Sequence, residues 1–408
     1  MPVDRLGGVL AANLAEMEET GRRKGAETVF AGILPPKGGR GPRYLIAGEG
    51  ERPFLRMNSN GYLGLAMHNA VRKAEEDAVR SFGAGPGAVR FISGTWAPHV
   101  ELERTLAAFH GREAAMAFSS AYATVMGVLP PLITPETAVI SDELNHNCII
   151  NAIRLAQPKE KHIYPHLDLD ALAARLGDAA AGCRRAIVVT DGVFSMRGDH
   201  APLKELIALA RAHDADFAEN VIVVVDDSHG VGAFGAGGRG TEAHTGSGPA
   251  DLLVATLGKA FGVNGGYVAG GATVIDYLRE TSPFYVYSNP ITPGEAAAAA
   301  EAVGIVSGAE GAGLLRHLRE MTARFEEGLT ALGFETIPGA HPIVPLMVRD
   351  TARTRAIVAH LRANGVLATG LGYPVVPRGD EEIRFQVSAD HTPQDIDQAL
   401  GVLADVPS

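Results

Sequence analysis

Two short stretches place costly side chains directly after apolar runs. Val223-Val224-Val225 ends in Asp226-Asp227-Ser228-His229-Gly230. A carboxylate and an imidazole at the mouth of a buried strand cost free energy unless they are paired or used. The next run, Leu252-Leu253-Val254-Ala255, leads through Thr256-Leu257-Gly258 to Lys259. A lysine set among small and apolar residues is a candidate for a depressed pKa, the state in which an amine attacks a carbonyl to form a Schiff base. Taken singly, neither motif is specific, because acids in such loops are often solvated and most such lysines are surface charges. Together they suit pyridoxal phosphate, which needs an amine for its aldehyde and an acid beside its pyridine nitrogen. Ser119-Ser120-Ala121-Tyr122, after another apolar run, offers backbone N–H groups at a helix N-terminus for the phosphate.

The elements that must position these residues are legible in outline. Ala186-Ile187-Val188-Val189, Ile222-Val223-Val224-Val225 and Leu252-Leu253-Val254-Ala255 are continuous rather than alternating, as strands buried on both faces of a parallel sheet are. Helical patterns such as 203–211 lie between them, so residues from about 60 to 290 form a βαβ series. Open α/β sheets bind ligands beyond the carboxyl ends of their strands, which is where the motifs fall. A surface helix is expected over 6–24, a loop at Gly38-Gly39-Arg40-Gly41-Pro42, and an alanine-rich helix over 295–306 leaving the sheet domain. Further helices are expected over 351–364 and 393–403. The resulting division is 1–57 as N-terminal helix and arm, 58–292 as large domain, and 293–408 as a smaller α+β domain.

The bulk numbers exclude other classes. A net charge of −11 without a concentrated Lys/Arg run argues against a nucleic-acid binder or a protein held on an anionic membrane. Two cysteines, Cys148 and Cys183, are too few for a disulfide framework and lack metal-ligand spacing, so no metal is expected. The start Met-Pro-Val-Asp-Arg lacks the layout of a secretory signal, and the apolar stretch 118–133 is broken by Ser, Thr and two prolines. A cytoplasmic location is the expectation.

With these residues in place, the sequence resembles the α-oxoamine synthases, a branch of the fold type I (aspartate-aminotransferase-like) pyridoxal-phosphate enzymes. The matching stretches begin with Asn60-Gly61-Tyr62-Leu63-Gly64-Leu65, Gly94-Thr95 with His99 and Leu102-Glu103, and Asp142-Glu143-Leu144-Asn145-His146. They continue with Asp191-Gly192-Val193-Phe194-Ser195-Met196 and the two strand-end motifs. The resemblance implies an α/β fold, with a mostly parallel sheet domain and a smaller α+β C-terminal domain. It also implies that Lys259 carries the cofactor and moves the Cα proton, and that Asp226 holds the protonated pyridine nitrogen. His229 and Ser195 would bond the phenolic oxygen, and His146 would stack on the ring and orient the substrate. Ala121, Tyr122 and Thr256 would contact the ring or its phosphate. Asn60 and Arg384 would receive the amino acid, the planar guanidinium fork of Arg384 gripping its carboxylate. In a homodimer, Tyr287-Ser288-Asn289 would reach the neighbour, with Ser288 on its cofactor phosphate. Asp227 reads as a helper or solvated acid, Cys148 as a small buried residue, and His68, His99 and His391 as structural.

Within the family, Val89-Arg90-Phe91-Ile92-Ser93-Gly94-Thr95, the stretch 285–293 and Pro374-Val375-Val376-Pro377 most resemble the glycine C-acetyltransferases, or 2-amino-3-ketobutyrate CoA ligases. The resemblance implies condensation of glycine with acetyl-CoA and release of CoA. Trp96, Pro98 and Ala121 depart from that branch and point to an alternative, a decarboxylating synthase with a longer or specialised acyl thioester. An aminotransferase would share Lys259 but not the family's other motifs.

Overall fold

The computed structural model describes residues 3–373 and 375–406; Met1 and Pro2 of the N-terminal stretch and Pro374 of the Pro-Val-Val-Pro phrase lie outside the described residues. The chain divides into two compact units.

The larger unit, Asn60–Glu320 with Gly339–Pro342, is built on a seven-stranded sheet. In chain order its strands are β1 (Ala114–Phe118), β2 (Thr137–Asp142), β3 (Glu160–Tyr164), β4 (Arg185–Asp191), β5 (Val221–Asp226), β6 (Leu252–Thr256) and β7 (Gly266–Gly270). Their spatial order is β1-β7-β6-β5-β4-β2-β3. Strand β7 is antiparallel to both neighbours, and the remaining pairs are parallel. The mostly parallel α/β sheet expected from the buried runs is therefore present, with one antiparallel insertion.

The central strands are apolar because both faces are covered. Val189, Val224 and Val254 pack with Val125, Val128 and Leu129 of the helix Ala121–Leu132 and with Ile149 and Ile153 of the helix Asn147–Ala156. Strand β3, at the sheet edge, reads Glu-Lys-His-Ile-Tyr with only Tyr164 buried. The strands that run in the common direction end at Phe118, Asp142, Tyr164, Asp191, Asp226 and Thr256. Asp191 and Asp226 are register partners, so two carboxylates stand side by side at that edge.

The smaller unit comprises Met1–Ser59, Met321–Pro338 and Ile343–Ser408. Its antiparallel sheet runs Glu335–Thr336, Ile343–Met347, Glu382–Gln386, Thr369–Leu371 in spatial order. Thr351–Ala363 and Pro393–Ala404 are its helices in the later part of the chain. The N-terminal segment belongs here because Arg43 pairs with the fully buried Asp395 at 2.6 Å, while the Gly41 N–H donates to the same carboxylate. The first helix, Asp4–Glu19, has no buried residue, as a surface helix requires.

The division between the units falls between Ser59 and Asn60, and residues 293–320 group with the larger unit. The helix Pro293–Ser307 packs on Asn69–Phe82 and Ala97–His110 in the larger unit, and nine of its residues are buried. Alanines on every side let neighbours approach closely all round, so this helix is interior to the larger unit. Among the described residues no single helix is long and apolar enough to cross a membrane, and no group of His, Cys, Asp and Glu is placed to hold a metal ion.

Candidate active site

Asp226 ends β5 and is 6% exposed; its Oδ1 accepts the Ser228 N–H at 3.1 Å. Successive strand residues face opposite ways, so Asp227 points away from Asp226. Its side chain accepts the Thr241 N–H (2.6 Å) and hydroxyl (2.7 Å). Burial raises the Asp227 pKa to about 7, against the pull of these two bonds. Asp227 is thus no solvated acid but a fully buried anchor for the turn after β5.

Lys259 sits on a tight turn after β6. The Leu257 N–H donates to the Gly265 carbonyl (2.9 Å), Val263 N–H to Leu257 (3.0 Å), and Gly262 N–H to Lys259 (3.0 Å). Gly262 has φ +73°, and a Cβ there would lie 2.5 Å from the Ala66 nitrogen, so the turn that presents the lysine demands glycine. The Thr256 hydroxyl accepts from the Gly258 N–H (3.1 Å) and donates to the Gly265 carbonyl (3.2 Å), bracing the same turn.

His146 precedes the helix Asn147–Ala156 and caps it. The loop is held by Asn145, which donates to the Val189 carbonyl and accepts the Asp191 N–H, each at 2.8 Å. The His146 N–H donates to Asp191 Oδ2 at 3.2 Å. Burial lowers the His146 pKa and Lys259 lowers it further, while Asp226 opposes them. Asp191 is raised well above the usual carboxyl range by burial and by the neighbouring Asp226.

These elements form a pocket lined by Ala121, Tyr122, His146, Cys148, Asp191 and Val193, and by Ser195, Asp226, Ser228, His229 and Lys259. Seven residues singled out in the sequence therefore meet: Ala121, Tyr122, His146, Ser195, Asp226, His229 and Lys259. Thr256, at the end of β6, is not among the lining residues. Asn60 connects through Tyr62, whose hydroxyl lies 3.3 Å from Asn60 Oδ1 and 2.8 Å from His229 Nδ1. Ser288 is not among the lining residues. Arg384 belongs to the smaller unit, half-buried on the strand Glu382–Gln386. His68, His99 and His391 have structural contacts: His68 caps Asn69–Phe82, His99 bonds the Ile291 carbonyl, and His391 receives the Ser388 N–H.

Sequence reasoning missed Tyr62, Cys148, Asp191 and Ser228 as parts of the site. Asp191 had a usable signal, since it ends a buried run just as Asp226 does. The other three depend on contacts that no local pattern announces.

The donor set fits pyridoxal phosphate. Asp191 Oδ1 and Ser228 Oγ are buried at the pocket without a hydrogen-bond partner, as groups awaiting a polar ligand are. Ala121 and Tyr122 begin a helix capped by Ser120, whose first-turn N–H groups favour an anion. Gly266 lets β7 approach that turn: a Cβ there would lie 2.3 Å from the Ala121 nitrogen.

Comparison with known proteins agrees with this geometry. Residues 52–403 match the family described as Aminotransferase class I and II. The chain is 41% identical over 392 residues to an 8-amino-7-oxononanoate synthase of Exiguobacterium sibiricum, covering 96% of this chain and 95% of that one. It is also 41% identical over 350 residues to the enzyme of that name from Thermosipho melanesiensis, covering 86% and 87%. A serine palmitoyltransferase of Sphingomonas wittichii superposes with a TM-score of 0.88 at 26% identity, covering 99% of this chain and 97% of that one. These names differ from the glycine C-acetyltransferase branch that the sequence phrases most resembled. The chain belongs to the class I and II aminotransferase family and, within it, to the pyridoxal-phosphate-dependent α-oxoamine synthases of fold type I.

Proposed function

We propose that this enzyme joins the Cα of a small amino acid to the acyl carbon of a CoA thioester, releasing CoA and carbon dioxide to leave an α-amino ketone. The observation that carries this reading is the 41% identity over 96% of the chain to an 8-amino-7-oxononanoate synthase. That name describes an α-amino ketone, with the amine on the carbon next to the ketone. The assembled pocket supports it. The reading moves the choice of substrates from glycine and acetyl-CoA to the decarboxylating alternative. Condensation of glycine with retention of its carboxylate stays as a second reading, favoured by the 89–95 phrase.

Pyridoxal phosphate, when bound, supplies an electron sink that lets a bond at the amino-acid Cα break. The chain's residues do the rest. Lys259 Nζ would hold the cofactor and then take the Cα proton, a transfer for which its turn fixes the amine at the pocket. Asp226, buried at the end of β5, would keep a proton on the pyridine nitrogen. His146 would orient substrate against the ring, and His229 with Ser195 would bond the phenolic oxygen. Ala121, Tyr122 and Thr256 would border the ring and phosphate. Asn60 would help receive the amino acid and Arg384 would bind its carboxylate, with Ser288 supplied by a second copy in a homodimer.

The test is thiol release across a panel of acyl-CoAs and amino acids, with product masses. Thiol release that needs both substrates, with a product lacking the carboxyl group, is expected. Product retaining it supports glycine condensation. Amine transfer to a 2-oxo acid without thiol release overturns both. Lys259→Ala should lose turnover by about 100-fold or more, and borohydride should attach the cofactor to Lys259 in wild type only.

A further inference from the structure

Cys148 lies in the first turn of the helix capped by His146 and is 1% exposed. Its sulfur is 2.9 Å from His146 Nδ1, and its thiol donates towards Asp226 Oδ2 at 3.7 Å. The sulfur thus reaches two residues that line the pocket, the imidazole of His146 and the carboxyl group of Asp226. We infer that Cys148 is a positioning residue whose thiol ties His146 to Asp226 and so fixes the imidazole against the cofactor ring. This role rests on reading the pocket as the pyridoxal-phosphate site.

The chemistry of the thiol suits a bridge and not a nucleophile. Burial, with Asp226 and Asp191 adding to it, pushes the Cys148 pKa far up, so sulfur keeps its proton beside the two carboxylates. A neutral thiol both accepts and donates. When His146 Nδ1 carries a proton, it donates to sulfur and the thiol donates to Asp226. When Nδ1 is bare, it receives the Cys148 N–H at 3.3 Å, and the thiol proton can turn to it as well. In both states the same sulfur sets the ring's rotation. An apolar residue of similar size would fill the space and leave His146 one partner fewer.

Three variants separate bridging from filling: Cys148→Ser keeps a donor and acceptor, Cys148→Val keeps the volume only, and Cys148→Ala keeps neither. Cofactor-free protein is titrated with pyridoxal phosphate. Affinity is read by absorbance, ring geometry by visible circular dichroism, and folding by melting of the cofactor-free protein. Ala and Val should each weaken affinity by about 10-fold, the loss of a good hydrogen bond, and diminish the dichroic band. Ser should stay within about 3-fold of wild type. Valine restoring wild-type affinity and dichroism would show that the residue only packs and would overturn the role. Serine failing as badly as valine would overturn it too. Wild-type protein that binds no pyridoxal phosphate would instead sink the pocket reading itself, a result distinct from any pattern among the variants.

Discussion

The Tyr62 hydroxyl lies 2.8 Å from His229 Nδ1, joining residues 167 positions apart, and neither side chain is exposed. The same hydroxyl reaches Asn60 Oδ1 at 3.3 Å. One consistent direction has His229 Nδ1–H donating to Tyr62 and Tyr62 donating to Asn60. His229 is then fixed in rotation, and the tautomer is set by a residue outside the strand-end motif. Tyr62→Phe keeps the ring and removes the link, so kcat should fall about 2- to 10-fold, the worth of one hydrogen bond, while cofactor affinity holds. Unchanged kcat would mean that His229 is oriented by other contacts.

His166 sits between two carboxylates, with Nδ1 3.0 Å from Asp142 and Nε2 3.2 Å from Asp199. Burial alone would lower its pKa, but the bonds to Asp142 and Asp199 outweigh that and carry it up to about 9. Asp199 is lowered in return: burial opposes, while His166 and Arg197 win. Because the folded pKa exceeds the ordinary histidine value, this stability is fully present below about pH 6.5 and is lost as pH rises through about 9. The Tm should therefore fall between neutral pH and about pH 10, and His166→Ala should abolish that part of the slope. Removing one partner from so enclosed a cluster should cost on the order of 3 kcal/mol in denaturant unfolding. Asp199 lies on the hairpin that carries Ser195, so cofactor affinity should weaken along the same pH range.

Arg384 stands opposite Pro345 and Thr369 in the smaller sheet. With the Gln386 amide turned so that its nitrogen donates to the Met57 carbonyl (3.0 Å), its oxygen accepts from Arg384 Nη1 (2.7 Å) and Nε (3.2 Å). The contact thereby fixes the orientation of a guanidinium that is planar by its own delocalisation. Arg384→Lys keeps the charge and loses the fork, so KM for the amino acid should rise about 10-fold with the visible spectrum of bound cofactor unchanged. An unaltered KM would place the carboxylate on another residue.

The parts of the molecule legible in the sequence are those that local physics determines. Strands β4, β5 and β6 are buried on both faces and read as unbroken apolar runs, so Asp226 and Lys259 stand out as the polar residues just beyond the ends of two such runs. Strand β7 has only Tyr267, Val268 and Ala269 between glycines, and edge strand β3 is half polar, so neither stands out. The shared unit of N-terminal segment and C-terminal helix was illegible because the Arg43–Asp395 pair closes a loop of 352 residues. Tyr62 and Cys148 escaped for the same reason: their worth lies in partners that only folding brings near, His229 for one and Asp226 for the other.

Ser288 comes after the short helix Pro283–Val286 and is absent from the pocket lining, while Tyr287 beside it is 77% exposed with its ring edge-on to the exposed Phe91. Hydroxyl and amide donors on an outward loop suit a site completed across a two-fold interface, where each copy lends the same segment to the other. The alternative is that the loop only joins elements within one chain. Co-expression separates the two. One chain carries Lys259→Ala, and the other carries Ser288→Ala with Asn289→Ala, each first shown to be inactive alone. If the site is shared, one site of a mixed dimer collects both defects and the other has neither. With random pairing half the dimers are mixed, so about a quarter of wild-type activity should return. If each site is built from one chain, every site keeps a defect and nothing returns. Mixed dimers verified by mass that stay inactive would rule out the shared site.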